Sequence, residues 1–129
     1  MAKTLTATTL VASASNAAGA TTRGRLDCSA VDGGIVTFRI TNGGTGPTVQ
    51  CEARVMIAHK DAAMPAAGAE GTAANSWKQV AAYGGGLSSD ASTRGAYPFG
   101  PEVSYIEIEF TGNTGQAVTV EAYATTFTY

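Results

Sequence analysis

A chain of 129 residues fits one domain, long enough to bury about two thirds of the surface that its unfolded form exposes. Only 14% of residues are charged; the eight basic and ten acidic side chains are scattered singly for a net charge of −2, so no basic stripe is present to neutralise a nucleic-acid backbone. No run approaches the ~20 apolar residues of a membrane-spanning helix, and Thr interrupts the apolar residues near the N-terminus before they form a secretion-signal core, which predicts a protein that stays in the compartment where it is made.

Residues 1–20 read as a strand followed by a flexible link, or equally as an arm that reaches a neighbouring molecule. Next, Leu26, Cys28 and Ala30 share one side of an extended run that ends at the turn Val31-Asp32-Gly33-Gly34. From Gly34 to Thr41 the pattern alternates, with Val36, Phe38 and Ile40 on one face and Ile35, Thr37 and Arg39 on the other. Beyond the Gly-rich break Asn42 to Pro47, Val49, Cys51, Ala53, Val55 and Ile57 alternate with Gln50, Glu52, Arg54 and Met56. Three consecutive antiparallel strands are expected here, the last two joined as a hairpin.

The stretch from Lys60 to Asn75 is rich in small residues and has no period, which predicts a long loop; Pro65 and Gly68 argue against a short helix around Met64 to Ala69. A short strand from Ser76 to Tyr83, a second irregular loop from Gly84 to Arg94 and a short strand from Ala96 to Phe99 follow. Last comes an expected hairpin in which Ser104 to Phe110 meets Ala117 to Ala124 across Thr111 to Gln116. Ile106, Ile108, Phe110, Val118 and Val120 point inward, leaving Tyr105, Glu107, Glu109, Glu121 and Tyr123 outside. About eight short strands with Gly-rich turns and no helical crossover predict one all-β domain over residues 1–129, a two-sheet sandwich of jelly-roll type.

Chemistry-bearing residues are sparse, and no enzyme is expected. His59 beside Asp61 lacks an activated Ser or Cys, and reads as a strand-end histidine. Glu107, Glu109 and Glu121 read as solvated spacers without calcium-loop spacing; were they to converge, a cationic patch on a partner would suit them. Gly84-Gly85-Gly86 lacks the Lys-Ser/Thr ending of a phosphate loop. Cys28 and Cys51 are expected as buried thiols, and two Cys alone make no metal site, so neither cofactor nor metal is predicted. Trp77, Tyr83, Tyr97, Phe99 and Tyr105 are read chiefly as core or rim packing, the other option being an aromatic platform for a sugar.

The segment Pro101 to Ala122, with Trp77-Lys78-Gln79-Val80 and the Thr/Ala/Gly-rich surface, resembles the decoration, or cement, proteins of tailed-bacteriophage capsids. The resemblance covers about the last 55 residues by pattern and the rest by composition. It implies a jelly-roll or related sandwich, made in the host cytoplasm and carried on the virion. Such a protein would bind the major capsid protein and itself, as a dimer or trimer, with no nucleic-acid or membrane partner. Aperiodic segments ordered by a neighbour suggest Lys3, Leu5, Lys60, Met64, Pro65, Leu87, Arg94 and Tyr97 as partner-binding residues. The alternative expectation is a carbohydrate-binding sandwich of a phage tail or fibre.

Overall fold

Alternating apolar residues give each strand one side that must leave water, and the chain meets this demand by stacking two four-stranded sheets face to face. The computed structural model describes residues 2–68 and 76–129; the part of the expected long loop from 69 to 75 lies outside them. The strands are β1 (Thr4–Asn16), β2 (Thr22–Asp27), β3 (Gly33–Asn42), β4 (Glu52–Ala58), β5 (Lys78–Gly84), β6 (Ser92–Phe99), β7 (Tyr105–Thr111) and β8 (Val118–Thr128). One sheet runs β1-β8-β3-β6 and the other β2-β7-β4-β5, with every pairing antiparallel. That order defines an eight-stranded jelly roll, and the described residues contain no helix.

Two expected pairings do not form. β2, β3 and β4 are not a meander, because β2 pairs β7 and β3 pairs β6 and β8. Nor are β7 and β8 a hairpin: they lie in opposite sheets and meet across the core. The physical reason is general. Alternation fixes which side of a strand must be dry, and the facing sheet dries it whichever strands lie beside it, so the pattern does not name lateral partners. Among successive strands only β4 and β5 pair. The N-terminal run is no detached arm either, since β1 pairs β8 from Thr4 to Asn16, with irregularities between Thr9 and Val11 and between Val11 and Ala14.

Which side faces the core was readable. Val36, Phe38 and Ile40 of β3 and Val118, Val120, Ala122 and Ala124 of β8 meet Ala53 and Val55 of β4 and Ile106, Ile108 and Phe110 of β7. Each large side chain fully buried here contributes about 1.5–3 kcal/mol before chain entropy is charged. Cys28 and Cys51 are free thiols within this core, and burial raises their pKa values to about 12 and about 11. Val49, expected inward, is exposed because β4 begins only at Glu52; Val49 makes an isolated bridge to Thr114. Beneath β1 the backbone of β2 passes so close that a Cβ on Gly24 would lie 2.5 Å from the Leu10 carbonyl oxygen.

Buried amides tie down the crossings between sheets. Asn113, fully buried in the β7–β8 connection, donates from Nδ2 to the carbonyls of Asn16 at 3.1 Å and Gln116 at 3.0 Å, and accepts from Asn16 Nδ2 at 2.7 Å. Asn42 likewise donates to the carbonyl of Ser88 at 2.9 Å, holding the β5–β6 loop. Replacing Asn113 by Ala strands buried partners without water, so Asn113→Ala is expected to cost about 1–3 kcal/mol in urea denaturation while leaving the β-sheet spectrum of the folded state intact.

Candidate functional site

The two sheets present very different outsides. On the β2-β7-β4-β5 sheet, the residues after β4 fold back over the surface. Met56, Ala58, Trp77 and Tyr105 form a second apolar cluster there, with Met64 packed against it. The Trp77 indole N–H donates to the Ala66 carbonyl at 2.8 Å, Arg25 donates to the Pro65 carbonyl at 2.9 Å, and the Ser76 hydroxyl donates to Asp61 Oδ1 at 2.8 Å. Residues 59–68 and 76–77 therefore strap this face.

Under the strap, β7 is buried on both sides. Its expected outer residues Tyr105, Glu107 and Glu109 are buried, which corrects their reading as exposed spacers. The register explains how the charges are tolerated: Arg23 of β2 and Arg54 of β4 flank Glu109, and Arg25 of β2 lies opposite Glu107. Arg23 Nε lies 2.9 Å from Glu109 Oε2 and 4.0 Å from Glu107 Oε1, while Arg54 reaches Glu109 Oε1 at 3.8 Å. Glu107 Oε1 also accepts the Gly68 N–H at 3.3 Å, and Oε2 is buried without a hydrogen-bond partner among the described residues. Glu121 lies in the other sheet, so the three glutamates do not converge.

The β1-β8-β3-β6 sheet has no such cover among the described residues. Cross-strand register places Leu5, Ala7 and Thr9 of β1, Glu121, Tyr123, Thr125 and Phe127 of β8, Ile35, Thr37 and Arg39 of β3 and Arg94, Ala96 and Pro98 of β6 on its outer side. Large apolar side chains stand in water there: Leu5 is 60% exposed, Ile35 38% and Tyr123 41%. At the end of β8, Tyr129 packs edge-on against Phe127 with ring centroids 5.6 Å apart, and the Lys3 ammonium lies 5.4 Å from the centre of the Phe127 ring. In the middle is an open depression of about 450 Å³, lined by Thr37, Arg39, Arg94, Ala96, Glu121 and Tyr123 among others. Arg39 Nε sits 2.6 Å from Glu121 Oε1, and the Tyr123 hydroxyl donates to Glu121 Oε2 at 2.9 Å, which raises the pKa of that phenol. This face, continued by the unpaired edge of β1, is the candidate contact surface.

The residues singled out in the sequence divide between the two outsides. Lys3, Leu5 and Arg94 lie on or beside the open face. Lys60, Met64 and Pro65 belong to the strap on the opposite side, where Met64 and Pro65 make internal contacts. Leu87 is exposed in the β5–β6 loop, and Tyr97 packs inward against the core. The aromatic platform does not form, because Trp77, Phe99 and Tyr105 are buried and Tyr83 packs at a tilt against Phe38, ring centroids 4.8 Å apart. His59 is exposed at the end of β4, and no three His, Cys, Asp or Glu side chains among the described residues converge as a metal site requires. Sequence reasoning did not single out Ile35, Thr37, Ala96 and Tyr123, which lie on the open face; the signal available was Ile35 on the side of β3 away from Val36, Phe38 and Ile40.

No protein family and no curated protein matches the chain by sequence. Solved structures share its fold. A cleaved adhesin domain of Lys-gingipain from Porphyromonas gingivalis superposes with a TM-score of 0.59 at 10% identity, over 88% of this chain and 72% of its own. A chain of T=1 particles derived from infectious bursal virus gives 0.54 at 11% identity, over 98% of this chain and 32% of its own, so the present chain spans about a third of that one. The SPBc2 prophage-derived protein YomS gives 0.47 at 12% identity over 99% of this chain and 96% of its own. At these identities the first two likenesses establish the two-sheet fold.

The strapped face makes stability depend on pH. Burial raises the Glu107 pKa from the ordinary 4.5 to about 7, opposed by the Gly68 N–H and Arg23, reinforced by Glu109 and opposed again by Arg25. The folded chain thus holds this proton more tightly than the unfolded chain does. The resulting stability is complete below about pH 4.5 and is lost as pH rises through about 7. Glu107→Gln keeps an acceptor for Gly68 without a charge to desolvate. Urea denaturation is expected to show the variant more stable than the parent by about 1–3 kcal/mol at pH 8, with the gap closing toward pH 5.

Proposed function

We propose that this chain is a structural virion protein that binds the outside of a phage capsid and cements neighbouring major capsid subunits. One observation carries the reading: a single broad sheet face, bearing Leu5, Ile35 and Tyr123 and continued by the uncharged edge strand Thr4–Asn16, is left open while the opposite face is strapped by the chain itself. Exposed apolar residues grouped on one side, with Arg and Tyr among them, suit a protein partner. An edge of thirteen residues without a charge offers backbone donors and acceptors to a neighbouring strand, whereas natural sheet edges not meant for pairing are commonly guarded by Lys or Pro. The low overall charge fits a molecule much of whose surface is covered in its working state.

The function is mechanical and needs no catalytic group. A molecule that touches two shell subunits at once adds its binding free energy to the work of separating them, and its second contact is favoured by the effective concentration that the first creates.

Purified protein mixed with expanded phage shells that lack it is expected to attach in a copy number set by shell symmetry, counted by cryo-EM, and to raise the temperature at which the shells come apart. Random or absent attachment rejects the reading. Leu5→Asp together with Tyr123→Asp is expected to leave the melting temperature nearly unchanged, since both side chains already stand in water, and to weaken attachment at least about tenfold.

A further inference from the structure

The open face carries an electrostatic arrangement that the free chain has no use for. Glu121 of β8, Arg39 of β3 and Arg94 of β6 are successive register partners, forming a row across three strands. Both carboxylate oxygens of Glu121 are engaged, Oε1 by Arg39 and Oε2 by Tyr123. Arg94 therefore stands directly opposite Arg39 with no hydrogen bond or ion pair among the described residues. Like charges directly opposite one another on an antiparallel pair are destabilising. Two of the chain's eight basic residues face each other against one carboxylate, in a protein whose net charge is negative.

The neighbouring row explains the depression. Tyr123, Thr37 and Ala96 lie side by side across the same three strands, and the small side chains at 37 and 96 leave the floor low between Tyr123 and Arg94. We propose that Arg39 and Arg94 receive a carboxylate side chain from an acidic segment of the protein that docks on this face. The assignment rests on the reading of that face as a contact surface and names the chemistry of its partner. An incoming Asp or Glu completes an alternating row of two carboxylates and two guanidiniums, and the planar fork of Arg suits bidentate pairing with it. An acidic side chain fits better than a free small molecule. Small-ligand pockets enclose most of their ligand, whereas this depression of about 450 Å³ is open and flanked by exposed Ile35 and Tyr123, a setting for a group delivered by a surface already docked.

The test uses the full chain, isotope-labelled for NMR, titrated at low ionic strength with a capped hexaglutamate peptide, a capped hexaglutamine peptide and a hexuronate oligosaccharide. Hexaglutamate is expected to shift the signals of Arg39, Arg94, Ala96 and Tyr123, and hexaglutamine to shift none of them. Arg94→Gln is expected to weaken the peptide at least about tenfold. Its melting temperature should stay the same or rise as the opposed charges are relieved, and Lys78→Gln on the other sheet should change nothing. Shifts centred elsewhere, an Arg94→Gln variant that binds as well as the parent, or a hexuronate that binds these residues more tightly than the peptide would each overturn the assignment. Shell attachment is counted separately. Peptide binding without shell attachment sinks the capsid reading alone, and shell attachment indifferent to Arg94→Gln, with no peptide binding, sinks this receptor alone.

Discussion

The arrangement of the molecule depends on β7 being dry on both sides. Its inward residues Ile106, Ile108 and Phe110 build the main core, and its other side places Tyr105, Glu107 and Glu109 under cover as well. A strand with carboxylates on a buried side needs cations in register, which β2 and β4 supply through Arg23, Arg25 and Arg54. It also needs a lid, which the residues after β4 provide through Met64, Pro65 and Trp77. Desolvating these charges weakens whatever stability their attraction brings. What the charge rows secure is alignment: sliding β7 by one residue would drive Glu107 and Glu109 into the core.

From that closure follows the asymmetry that matters for function. The strap covers β7 and the end of β4 on the outside of the β2-β7-β4-β5 sheet and leaves β5 largely exposed, while the β1-β8-β3-β6 sheet has no such cover among the described residues. There the same residue classes behave differently. Glu121 and Arg39 form an ion pair open to solvent, worth less than about 1 kcal/mol, and Tyr123 spends its hydroxyl on Glu121 while its ring stays in water. On that surface Ile35 and Tyr123 stay partly in water, and Arg94 has no hydrogen bond or ion pair among the described residues.

Much of this was legible in the sequence, and the failures share a cause. Alternation in Gly34 to Thr41 and in the last two strands named the residues that face the main core correctly and led to the two-sheet class. It could not name partners, because the face that must be dry says nothing about which strand lies beside it, and in the jelly roll successive strands nearly always fall in opposite sheets. Glu107 and Glu109 were misplaced because charge was taken as a sign of solvent. The corrective signal was present in Arg23 and Arg25, which repeat at the same two-residue spacing with opposite sign, and in Arg54. Trp77 was read chiefly as packing and is buried, whereas Asn113 was beyond reach for another reason: its burial depends on the β1–β2 turn, distant in sequence and without a period of its own.

The irregularities in β1 bear on how the protein is kept from polymerising. A straight, uncharged rim thirteen residues long would let copies zip together without limit. The breaks in register at Thr9/Val11 and Val11/Ala14 bend that rim and leave residues 4–9 as its longest uninterrupted ladder. A strand that paired along this rim would run for about half a dozen residues before meeting a kink, where an even rim would set no such limit.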